Sequence, residues 1–197
     1  MFMSMFLFSF AMSITPGHVN TVILSTSINY GLKKTISYIS GATIGFVLLL
    51  IFIGFGLHSV FVTYPFLLKI LAILGALFVS YIGYKIMFSE SKVSIDDNEE
   101  VFVPGFRDGF LLQWLNPKAW LACISGTTMF SSLNGYTSLV TFIIIYFITC
   151  YVCLFFWGVC GDRFALILNK GNRMKYFNML MGGMLIISAI SIIFEFF

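Results

Sequence analysis

Ser13-Ile14-Thr15-Pro16-Gly17-His18-Val19-Asn20 interrupts an apolar stretch that otherwise runs from about residue 3 to residue 28. A stretch of that length crosses the roughly 30 Å hydrocarbon core of a bilayer when helical. Proline removes a backbone donor and clashes with the preceding turn, and the adjacent glycine loosens the backbone further. The helix is therefore expected to break at Pro16. A second break of the same kind, Asn116-Pro117-Lys118-Ala119-Trp120, falls well inside a later apolar stretch.

Around these two breaks the chain resolves into six apolar stretches, at residues 3–28, 36–58, 66–88, 106–130, 137–161 and 176–197. Each is long enough to span a membrane. Composition agrees: of 197 residues, 59% are hydrophobic and only 10% charged, too few charges to cover a soluble domain. With 24 Phe and 10 Met, the outer surface is expected to face lipid. The fold class expected is all-α, a polytopic membrane protein with six transmembrane helices, the first and fourth interrupted at Pro16 and Pro117. Short loops leave no room for a separate catalytic domain. No nucleophile–base pair or phosphate-binding loop suggests an enzyme, and no cofactor is implied. The net charge of +3 is by itself no evidence for nucleic acid, whose footprint needs basic residues clustered on one water-facing surface, so no nucleic acid is expected as a partner.

Basic residues set the orientation, because cytoplasmic loops accumulate Lys and Arg. Lys33, Lys34, Lys85, Lys92, Arg107, Arg163, Lys170, Arg173 and Lys175 are nine of the eleven, and all fall in or beside the first, third and fifth connections; only Lys69 and Lys118 lie elsewhere. An inner-membrane protein with both termini on the outer side is predicted. No Lys or Arg precedes Lys33, so the charged start of a cleaved signal peptide is missing and the first stretch reads as a retained span.

The one polar, acidic segment, residues 89–105, divides the chain into halves of three spans, residues 1–88 and 106–197. Pro16 and Pro117 are 101 residues apart, and Gly83 and Gly183 are 100 apart. Two inverted three-helix repeats within one membrane domain, 1–197, are expected from this spacing. Interrupted helices at matching places in two halves point to a transporter's substrate site. The half-helix after a break presents unpaired N–H groups and a positive dipole end, suited to a carboxylate. The half that ends there presents carbonyls, suited to an ammonium. A zwitterionic amino acid carries both groups. The candidate binding residues are Thr15, Pro16, Gly17, His18, Asn20, Asn116, Pro117 and Lys118.

Lys118 stands out because a cation at membrane depth is costly and normally faces the bundle interior with a partner. Asp108, Asp162 and Glu195 all lie near span ends. Its partner is therefore either a helix carbonyl cluster or a substrate carboxylate, unless the side chain snorkels to an interface. Small residues at helical spacing, Ser37-x3-Gly41-x3-Gly45 among them, let helices approach closely. They serve packing within the bundle or, alternatively, the seam of a homodimer.

Cys123, Cys150, Cys153 and Cys160 all fall in apolar stretches and read as free thiols. A membrane thiol–disulfide carrier would need a cysteine from each half, and the first three stretches contain none. A cation or metal exporter would want midplane carboxylates or clustered His and Cys; His18 alone is a poor ligand set, so no metal site is expected. A purely structural membrane protein leaves Lys118 without a purpose.

Thr15-Pro16-Gly17-His18, together with Phe106-Arg107-Asp108-Gly109 leading to Asn116-Pro117-Lys118-Ala119, resembles the lysine exporter (LysE) superfamily of small amino-acid exporters. In that family the first span carries T-P-G-P and the fourth an F-x-x-G-x-x-x-x-x-x-N-P-K-A pattern. Gly41-Ala42-Thr43-Ile44-Gly45-Phe46 and Leu112-Gln113 are similar to the branch that exports cysteine and O-acetylserine; other branches more often have an acidic residue where Phe46 stands. The resemblance implies export of a small neutral amino acid across the cytoplasmic membrane by alternating access, driven by the proton-motive force. One residue departs from the motif: His18 replaces its second proline. Histidine titrates near pH 6.5 when unperturbed, so His18 is either a contact to substrate or backbone, or a proton carrier.

Overall fold

A computed structural model of the chain describes residues 1–57, 64, 66–89, 102–134, 136–168 and 172–196. All regular structure among them is helical: α1 (Phe2–Ile14), α2 (His18–Tyr30), α3 (Leu32–Phe52), α4 (Phe66–Met87), α5 (Phe106–Trp114), α6 (Pro117–Asn134), α7 (Tyr136–Leu168) and α8 (Arg173–Phe196). Most of the acidic segment and the connection holding Lys170 lie outside the described residues, Lys92 with them.

Four helices are long and apolar enough to cross a membrane: Leu32–Gly56, Phe66–Met87, Tyr136–Leu168 and Arg173–Phe194. The pair α1 and α2, bent by 58° across Thr15-Pro16-Gly17, makes a fifth if it counts as one broken span. The stretch expected as a fourth span, 106–130, is divided at Leu115-Asn116, and neither α5 nor α6 passes as a span by itself. Both interruptions thus stand where the prolines placed them. Pro117 opens α6, a position where its missing N–H would have no helical partner anyway.

The two amide side chains of Asn29 in α2 and Asn178 in α8 bond each other reciprocally at 2.8 and 2.9 Å, and Asn178 Nδ2 also donates to Ser89 Oγ at 3.0 Å. Close by in sequence, Gly31 turns the chain from α2 into α3 at φ +84°, a backbone that side chains other than glycine's rarely adopt. Asp162 Oδ1 accepts from Leu32 N at 3.0 Å. With 33 residues, α7 is about 50 Å long, so it outreaches the roughly 30 Å core and carries Asp162 and Arg163 past it. These contacts gather the C-terminal ends of α2, α4 and α7 with the N-terminal ends of α3 and α8, where Lys33, Lys34, Lys85, Arg163, Arg173 and Lys175 are exposed.

Glycines set the tightest approaches. A β-carbon at Gly41 would overlap the Phe106 carbonyl, and one at Gly45 would lie 2.9 Å from the Phe110 carbonyl oxygen, so this stripe is used by α5 of the same chain and not by a second copy. Gly83 of α4 faces Gly182 of α8, where a β-carbon would meet the Gly83 carbonyl. Gly183 is turned away, with only Met87 Cε within reach, at 3.8 Å. Leu77, Val152, Phe156, Leu180 and Ile187 point outward and are exposed, as lipid contact requires.

Candidate functional site

The α1–α2 break is fastened from within. Asn20 Nδ2 reaches back to donate to the carbonyls of Ser13 at 3.1 Å and Thr15 at 2.8 Å. Thr15 Oγ1 donates to Ala11 O, and Trp157 Nε1 of α7 donates to Ile14 O at 3.2 Å. Carbonyls left over at the end of α1, expected to be free for an ammonium, are therefore largely occupied by the protein. Asn20 takes a fastening role that its position in the motif did not reveal.

The start of α2 differs. Its cap is Gly17, which has no side chain to offer, and the first helical N–H bond is that of Thr21 to Gly17 O at 2.9 Å. The N–H groups of His18, Val19 and Asn20 thus remain as the orphan donors of a helix start. At the second break the opposite holds. Asn116 Oδ1 accepts from Lys118 N at 3.1 Å, and Asn116 O accepts from Ala119 N at 2.9 Å. That helix start is already satisfied by its own cap, as asparagine favours.

His18 ties the breaks together. Its Nε2 is 3.2 Å from Asn116 Oδ1, and its Nδ1 is 3.1 Å from Ser188 Oγ of α8. Because Asn116 Oδ1 is an acceptor for Lys118 N, Nε2 is the nitrogen that carries a proton toward it. In the neutral ring Nδ1 then accepts from the Ser188 hydroxyl.

Both breaks open on one cavity of about 70 Å³, room for roughly five water-sized molecules when one needs about 10–15 Å³. Of the residues expected at the site, Thr15, Gly17, His18, Asn20, Asn116 and Lys118 line it. Pro16 and Pro117 make the breaks and do not line it. Lys118 is exposed and is the single charged residue in the cavity lining, and its ammonium has no hydrogen-bond or ion-pair partner among the described residues. Among the lining residues not expected at the site, Ser13, Gln113 and Tyr146 carry hydroxyl or amide groups. A polar residue in the last turn before a break was the available signal for Ser13 and Gln113; Tyr146, in an unbroken helix, gave none. Phe46 stacks on Tyr146 with centroids 4.5 Å apart and forms an apolar wall with Met12 and Leu154. Cys150 also reaches the lining, and all four cysteines are free.

The family described as LysE type translocator matches residues 10–195, nearly the whole chain. The chain belongs to the LysE type translocator family. That family groups it with translocators and not with enzymes. A Cysteine/O-acetylserine efflux protein of Salmonella choleraesuis (strain SC-B67) is 27% identical over 118 residues, 60% of this chain and 59% of the relative. A Leucine efflux protein of Klebsiella pneumoniae subsp. pneumoniae is 27% identical over 135 residues, 67% of this chain and 64% of the relative. An uncharacterized membrane protein, YrhP of Bacillus subtilis, is equally similar, at 27% over 135 residues, 63% of this chain and 64% of the relative. The chain thus spans about three-fifths of the length of the curated relatives it matches. No solved structure matches it.

Proposed function

We propose that the chain exports small neutral amino acids, of the cysteine or O-acetylserine kind, across the cytoplasmic membrane. The observation that carries this reading is the shared cavity. It joins an open helix start at His18–Asn20 and the unpaired ammonium of Lys118, and its lining holds no carboxylate. A substrate carboxylate fits both donors. A second positive charge on the substrate side chain would meet Lys118 without compensation, which favours a neutral side chain; the stacked Phe46 and Tyr146 favour it too. The same repulsion weighs against the alternative of a cation or metal exporter. Relatives named for efflux of cysteine and O-acetylserine, and of leucine, support export of an amino acid without a charged side chain.

In this reading α1–α2 and α5–α6 each make one crossing, giving six, and the two three-helix repeats alternate access around the cavity with both termini outside. Net export against a gradient draws on the proton-motive force. Counterflow of labelled amino acids in vesicles holding the purified protein tests the proposal, alongside amino acids appearing in the medium of overproducing cells. Exchange of a small neutral amino acid is expected. No exchange and no excretion above a control strain would overturn it.

A further inference from the structure

Two polar side chains in the cavity lining lack a well-formed hydrogen bond. Ser13 is 7% exposed, and its Oγ makes no well-formed hydrogen bond, with the Tyr146 hydroxyl and the Cys150 thiol as its polar neighbours. Gln113 is 6% exposed, and its side-chain amide makes no hydrogen bond among the described residues. Buried polar groups in a folded protein are nearly always paired, so polar groups that lack a bond and border a cavity are open to a partner inside it. The two residues occupy corresponding places. Ser13 is in the last turn of α1 before the first break, and Gln113 is in the last turn of α5 before the second.

The carboxylate end of the cavity does not need them. A carboxylate is met by the start of α2 and by Lys118, and the opposite wall is formed by Phe46 and Leu154 beside Tyr146 and Cys150. Against that wall a hydroxyl, thiol or ester side chain can exchange hydrogen bonds with a serine hydroxyl and a carboxamide, which offers both a donor and an acceptor. An aliphatic side chain of the same size offers neither the Ser13 hydroxyl nor the Gln113 amide a partner. Sites built to hydrogen-bond a group reject the analogue that lacks it more strongly than apolar pockets reject an extra one.

We propose that Ser13 and Gln113 form a polar subsite for the substrate's side chain, with Gln113 setting the preference for amino acids whose side chains hydrogen-bond over aliphatic ones of equal size. This rests on the amino-acid export reading above. L-Serine and L-2-aminobutyrate differ only by hydroxyl against methyl, so they isolate the subsite.

The test is counterflow of each labelled amino acid in vesicles with the purified wild type, Gln113→Met and Ser13→Ala. The wild type is expected to favour serine in kcat/KM by about tenfold, the factor that corresponds to about 1.4 kcal/mol. Gln113→Met is expected to bring the ratio close to one, and Ser13→Ala to reduce it. Equal handling of the two amino acids by the wild type overturns the subsite and leaves the export reading intact. So does an equal slowing of both by Gln113→Met, which would assign the amide to the shared ammonium. Should Gln113→Met fail to reach the membrane, the wild-type ratio and Ser13→Ala decide. A wild type that moves no amino acid overturns the export reading, and the subsite falls with it.

Discussion

His18 Nε2 and Asn116 Oδ1 are 3.2 Å apart, and this contact makes the two helix breaks, 98 residues apart at these positions, one hydrogen-bonded unit. Asn116 also caps α6 through Lys118 N, so its oxygen serves both the local helix start and the distant break. Removing the cap in Asn116→Ala is expected to cost about 1 kcal/mol or more. His18→Leu and Asn116→Ala share the contact, so their combined loss should fall short of the sum by about 0.5 kcal/mol or more. Thermal unfolding of the two single variants and the double variant in detergent measures this; strict additivity would show that the contact contributes nothing.

Lys118→Met keeps much of the side chain's stem and removes its charge. Membrane abundance should stay near normal, because no described residue pairs with the ammonium. Counterflow should fall by about ten- to a hundredfold, the range expected when a bound carboxylate loses one charge-assisted hydrogen bond. Unchanged exchange would mean that the ammonium has no role at the site.

The energy source is read through His18→Gln. Both ring nitrogens are held, one by Asn116 and one by Ser188, and a hydroxyl can accept from a protonated ring as readily as it donates to a neutral one. A contact role predicts altered apparent affinity with accumulation still driven by an imposed pH gradient across the vesicle. Loss of pH-driven accumulation with exchange intact would instead assign proton coupling to His18.

Gly182→Ala places a methyl group against the Gly83 carbonyl, whereas Gly183→Ala meets only the tip of Met87 at 3.8 Å. The first should destabilise the α4–α8 contact by about 1–3 kcal/mol, and the second should stay within about 0.5 kcal/mol of wild type. Detergent unfolding midpoints for the pair separate the two glycines, and similar midpoints would contradict the packing described.

Basic residues gathered at one end of the bundle predict that this end is cytoplasmic. In a background lacking the four native cysteines, Lys33→Cys and Lys175→Cys should be shielded from an impermeant thiol reagent in intact cells and label after lysis. Labelling of either in intact cells would reverse the orientation.

The helix breaks were legible in the sequence because they depend on one residue each: Pro16 and Pro117 cannot supply the N–H that a continuous helix needs, whatever surrounds them. The helical, lipid-facing character was legible for a similar reason, since long apolar runs with 10% charged residues satisfy backbone groups only by helix formation in a bilayer. Tertiary structure decided which ends of the breaks remain open. Asn20 and Trp157 occupy the carbonyls that end α1, Asn116 satisfies the start of α6, and only the start of α2 is left with free donors. It also turned Gly182, and not Gly183, toward Gly83, and brought Ser13 and Gln113 to the cavity lining. Whether a polar group is free depends on every neighbour within hydrogen-bond reach. Those neighbours come from helices distant in sequence, as Trp157 does for Ile14 and Asn116 for His18, so residue type and spacing cannot reveal them.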